Sequence, residues 1–189
     1  MSPRAHKRRR RIEIPSAGQT VVSLTLRHVV AGGPWPLTRV LTALGSSFDV
    51  ERVGVARALG DRRGVPLVHS QELRWGEHTV FLEARHGRDG SDELTLELPA
   101  WDELIERVDD DLLWDFIDSV AGAADAHFGS IGDGEPAETR LPDDPPTLRS
   151  QLARHLALLL PDWTGDDIAD AGASVERVLA GSGLVLVTR

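Results

Sequence analysis

The chain has 189 residues, 41% of them hydrophobic, with no cysteine and a formal net charge of −9. That length suits one domain with a real core, and the missing thiols exclude disulfides, thiolate catalysis, zinc ribbons and iron–sulfur ligation. Charge is sorted by position: residues 1–11 hold six cations and no acid, residues 12–100 hold 9 Arg against 11 acids, and residues 101–189 hold 6 Arg against 19 acids. Charge of a single sign speaks of partners more than of fold. No apolar run approaches the ~20 residues of a membrane helix, and no apolar stretch follows Arg11 as a secretory signal would require. A cytoplasmic protein of bacterial type is the expectation, with no membrane contact.

Residues 1–17 read as a disordered basic tail, and residues 18–189 as a single domain. Val22, Leu24 and Leu26 alternate with polar residues and predict a strand within residues 19–30. Gly32-Gly33-Pro34 ends it. Leu37, Val40, Leu41 and Leu44 fall on one helical stripe, with Pro36 suited to the first turn and Gly45 to the stop. A second strand is expected at residues 51–57, a turn at Asp61-Arg62-Arg63-Gly64, and a further strand within residues 66–74. Residues 78–85 and 94–98 alternate around the turn Gly87–Asp92, which predicts an antiparallel hairpin.

After Pro99 the period changes to that of a helix. Trp101, Leu104, Ile105 and Val108 suit a short one. Asp109–Phe128 carries the strongest helical pattern, with Gly129 as its stop. Residues 129–147 read as a long loop. Leu148, Leu152, Leu156 and Leu159 suggest a third helix ended by Pro161. A closing hairpin runs through Ser174–Leu179 and Leu184–Thr188 around Gly181-Ser182-Gly183. Strands early, helices later and a final hairpin predict an α+β fold, a single antiparallel sheet with helices packed on one face.

Nothing in the chain spells out a catalytic centre. The seven histidines, His6, His28, His69, His78, His86, His127 and His155, form no helical i, i+4 pair or tight cluster of the kind that binds metal. His78 and His86 share a strand face but stand ~26 Å apart along it. The serines at 130 and 182 lack the strand–elbow–helix context of a hydrolase nucleophile. Gly129, Gly132 and Gly134 follow a helix, whereas a phosphate cradle precedes one. No catalytic residue, metal site or cofactor is assigned.

The long helix carries the candidate site. At ~100° per residue, Asp111, Asp115, Asp118 and Asp125 fall within roughly an 80° arc opposite the apolar stripe, with Trp114 at the border. Asp109, Asp110 and Asp111 also suit the helix N-terminus, where they complement its dipole. Such an arc suits a solvated face opposite the core, and with an aromatic beside it also suits a recognition surface for a basic protein partner. On that reading Asp115 and Asp118 can both be replaced without harm to folding.

Trp35-Pro36 before the first helix, the acidic helix running into His127-Phe128-Gly129-Ser130-Ile131, and the hairpin from Val175-Glu176-Arg177 to Leu184–Val187 together resemble immunity proteins of bacterial polymorphic-toxin systems. The resemblance implies a non-enzymatic domain that binds a toxin and blocks it. Two other readings remain open. One is an enzyme or small-ligand protein with a site dispersed over His69, His78 and the 129–147 loop. The other is a nucleic-acid accessory protein acting through Arg8–Arg11.

Overall fold

A computed structural model of the protein describes residues 19–27, 36–59, 68–86, 92–133, 141–161, 163 and 165–189. The basic tail, the breaks around residues 32–34 and 61–64, and most of the Gly87–Asp92 turn lie outside the described residues. So does the middle of the expected 129–147 loop.

Among the described residues, nine strands form one antiparallel sheet, and five helices pack against it. In chain order they are β1 (Thr20–Leu26), α1 (Pro36–Ser47), β2 (Val50–Leu59), β3 (Val68–Trp75), β4 (His78–His86), β5 (Asp92–Leu98), α2 (Trp101–Arg107) and α3 (Asp110–Ala124). There follow β6 (Ala126–Asp133), α4 (Pro145–Leu152), β7 (Ala157–Pro161), α5 (Gly165–Asp170), β8 (Ser174–Leu179) and β9 (Leu184–Thr188). The strand order is β2-β3-β4-β5-β1-β6-β7-β9-β8. The fold is α+β, as the pattern of alternating runs followed by helical ones implies.

Strand β1 occupies the middle of the sheet. Its residues pair with β5 on one side (Val22 opposite Leu96) and with β6 on the other (Val22 opposite Ile131). Successive side chains of a strand point to opposite faces, so this register sorts the whole sheet. One face presents Leu24, Leu82, Leu94, Leu96, Leu159 and Leu186 to α1, α2 and α3, where the main core forms. The opposite face presents Phe128, Leu158, Leu160 and Val187, which α4 and α5 cover with Leu148, Leu152 and Ile168. The expected single layer of helices thus holds α1–α3, and a smaller layer sits behind the β6-β7-β9 end. Over β1, β5 and β4 the second face carries Thr25, Thr79, Phe81, Glu83, Thr95 and Glu97, all at least partly exposed.

Three segments depart from the sequence reading, one being α5, a helix where none is expected between Pro161 and Ser174. The helix expected to reach Phe128 stops at Ala124, because Asp125 takes a left-handed conformation (φ 57°) and its N–H closes on the Ala121 and Gly122 carbonyls. Residues 126–133, expected as helix end and loop, are instead β6, a central strand. Residues 156–159, expected to finish a helix, enter β7, since α4 ends at Leu152 and Ala157-Leu158-Leu159-Leu160 is buried on both faces. A short apolar run has the same composition in a buried strand as in a buried helix, so spacing alone does not separate them.

Gly129 is not a helix stop but a packing requirement. A Cβ there would lie 2.7 Å from Leu24 Cδ2, 3.0 Å from the Ser23 carbonyl oxygen and 3.2 Å from Leu159 Cδ1. Gly129→Ala is therefore expected to cost about 1–3 kcal/mol of stability, the range for overpacking a filled core. Equilibrium urea unfolding measures it, and an unchanged midpoint would show that β1 and β6 can separate to make room.

Candidate functional site

The site is built on α3. Asp109 caps it, its carboxylate accepting from the N–H groups of Asp111 (3.0 Å) and Leu112 (3.3 Å). Leu113, Phe116, Ile117, Val120, Ala121 and Ala124 fill the core side at helical spacing. Phe116 stacks on Trp75 with ring centroids 4.1 Å apart. These contacts fix the helix axis and roll, so its carboxylates have defined directions.

The five residues picked from the sequence then separate into different roles. Trp114 is not a surface anchor. It is buried at 1% exposure, with its ring 5.2 Å from that of Trp101 and its indole Nε1 donating to Asp110 at 3.1 Å. Its position on the helix is at the margin of the apolar stripe, and removing a large ring from water is worth about 1.5–3 kcal/mol. With α2 adjacent to receive it, the ring turns inward and only its N–H needs a polar partner.

Asp111 remains on the surface but is bridged to Arg177 of β8, 2.5 Å from its Nη2, and the same guanidinium lies 3.5 Å from Asp110. Asp118 is committed to structure. Its two carboxylate oxygens accept from the N–H of Gly181 (2.8 Å), the N–H of Ser182 (2.8 Å) and the Ser182 hydroxyl (2.7 Å). It clasps the β8–β9 turn onto the helix. Gly122 permits the same close approach, since a Cβ there would meet the Gly181 carbonyl at 2.9 Å. Asp125 is the C-cap, about 15 Å along the helix axis from Asp115, and its carboxylate is 3.9 Å from Arg27. Asp115 is exposed and points into the groove between helix and strand.

That groove is the feature sequence reasoning missed. It has a volume of about 490 Å³ and is walled by Asp115 and Asp118 on α3 and by residues 175–180 of β8 and the turn after it. Among the described residues β8 pairs only with β9, so its other edge is open. The strand bulges between Val175 and Arg177, which leaves Val175 opposite Val187 and Val178 opposite Val185. Both valines therefore lie on the face away from α3, 44% and 66% exposed. A signal for this was present: the two valines are three apart in Ser174–Leu179, which breaks strict alternation.

Among the described residues the histidines do not converge. His78 and His86 lie at opposite ends of β4, and no group of three His, Asp or Glu placed to hold a metal occurs among the described residues. His86 Nδ1 pairs with the carboxylate of buried Asp92. His155 sits in the turn after α4, half-buried. Burial, reinforced by neighbouring Arg154, pushes its pKa below the ordinary histidine value. Asp144 caps α4, and hydrogen bonds from the Thr147 side chain and backbone N–H hold its carboxyl below the usual range.

Comparison with family models, with curated proteins and with solved structures finds no match. No helix among the described residues is long and apolar enough to cross a membrane.

Two predictions follow from this geometry. Asp118→Ala leaves two backbone N–H groups of the turn without their acceptor, and losing charge-assisted hydrogen bonds is expected to cost about 1.5–3 kcal/mol. Asp115→Ala is expected to stay within about 0.5 kcal/mol, as for ordinary surface changes; chemical denaturation of the two variants side by side checks the contrast. His155 is harder to protonate folded than unfolded, so its contribution to stability is complete above about pH 6.5 and is lost as pH falls below that. His155→Gln should flatten this part of the stability–pH curve, and an identical slope in variant and parent would remove His155 as its source.

Proposed function

We propose that this protein is a non-enzymatic binding domain whose α3–β8 surface takes a protein partner with a basic surface. The observation that carries this reading is the groove itself. One wall is an open strand edge, and the other holds the exposed Asp115 beside the structural Asp118. Among the described residues, the nearby acids Asp109, Asp110, Asp111 and Glu176 outnumber the cation Arg177, which two of them already engage. Field of one sign over a concave surface speeds encounter with a partner of the other sign and rejects like-charged ones. Within this class, the resemblance to toxin-neutralising immunity proteins makes a basic toxin the partner we favour.

The reading concentrates the recognition charge on Asp115. Asp118 and Asp125 support it by holding the turn and ending the helix, and Trp114 by holding α3 in place. Asp115→Arg is expected to leave the fold intact and to weaken a captured cognate partner at least tenfold, while Asp166→Arg on α5 leaves affinity unchanged. Titration calorimetry at two salt concentrations measures both, with the parent complex weakening as salt rises. Equal affinities for the parent and Asp115→Arg would take α3 out of the interface.

A further inference from the structure

Resting on that reading, we propose that the partner enters the groove as an extended segment that adds a tenth strand to the free edge of β8, with cations on its α3 side and apolar residues on the other. An open strand edge supplies main-chain donors and acceptors to a new strand, and its alternate side chains give selectivity; on β8 these groups lie on either side of the Val175–Arg177 bulge. The two faces of β8 differ in what they ask of a neighbour. On the α3 side, Asp115 faces the groove, and Arg177 is held back by Asp111. On the other side, Val175 and Val178 stand exposed together. Directly opposed residues of an antiparallel pair share a face, so a strand with period-two alternation of Arg or Lys with Val or Ile meets both at once. Charge decides between this occupant and a second copy of the chain. Pairing β8 with itself covers the valines but brings two sets of groove carboxylates together in a molecule that already carries −9, whereas a basic segment neutralises them.

The test uses the full chain and a capped hexapeptide of alternating arginine and valine. Two versions are N-methylated, one on the three arginine amides and one on the three valine amides. Only one set of N–H groups can face β8, so one methylated peptide should lose at least tenfold in affinity and the other should bind like the parent. Asp115→Asn should weaken the parent peptide, and glutamate in place of its arginines should abolish binding. If both methylated peptides bind like the parent, strand addition is overturned while the acidic recognition surface stands. If the parent peptide does not bind, or binds equally well to Asp115→Arg, strand addition is overturned too; the captured-partner affinities then decide the broader reading separately. Sedimentation showing a concentration-dependent dimer that Val178→Lys abolishes would assign the edge to a second copy and overturn the proposal.

Discussion

The sheet depends on one strand holding two halves together. β1 pairs with both β5 and β6, so it joins the β2–β5 meander to the β6–β9 half. The junction is tight: Gly129 has no room for a Cβ between Leu24, Ser23 and Leu159. Because β1 is central, its alternation fixes which residues of every other strand face α1–α3. A one-residue slip would turn Leu24 and its row to the opposite face. The bulge opposite Thr25 and Leu26 is the one place where the β1–β6 register steps. It allows Ala126 to face the main core while Phe128 faces the smaller one.

The helix that bears the candidate site is coupled to the last hairpin in the same way. Asp118 and Gly122 accept the Gly181–Ser182 turn, and Arg177 reaches back to Asp111 and Asp110. These contacts engage Asp111 and Asp118, half of the arc of carboxylates that the helical wheel displays, and Asp125 ends the helix 3.9 Å from Arg27. A carboxylate accepting two backbone N–H groups and a hydroxyl is a structural element, whatever its place on a helical wheel. Asp115 is left facing the groove, set against the edge of β8 that pairs with no strand among the described residues. Natural sheets protect such edges with bulges and charge. Here the bulge at Val175–Arg177 and the acids of α3 do so, and they also define what can approach.

Much of the fold was legible because its signals are local. The β4–β5 alternation, the β8–β9 hairpin with its bounds, the α1 stripe and the Asp109 cap all express short-range periodicity or capping chemistry. β6 and β7 were not legible for a shared reason. Both lie inside the sheet, buried on two faces, so Ala157–Leu160 loses the alternation that marks a half-buried strand. β6 carries two glycines and a serine that locally suit a turn. The preference of these residues was overridden by pairing with β1 and β7, contacts far away in the chain.

The sequence by itself determined the class of fold, the segregation of charge and the placement of acid along α3, because each follows from composition or from a repeat of two or 3.6 residues. Tertiary structure alone decided which carboxylates are available. Whether Asp118 is solvated or clasped depends on a turn 63 residues away, and whether Trp114 is an anchor or a core ring depends on the position of α2. Period and spacing describe one element at a time. A site is a relation between elements, and only the packing that brings α3 against β8 creates it.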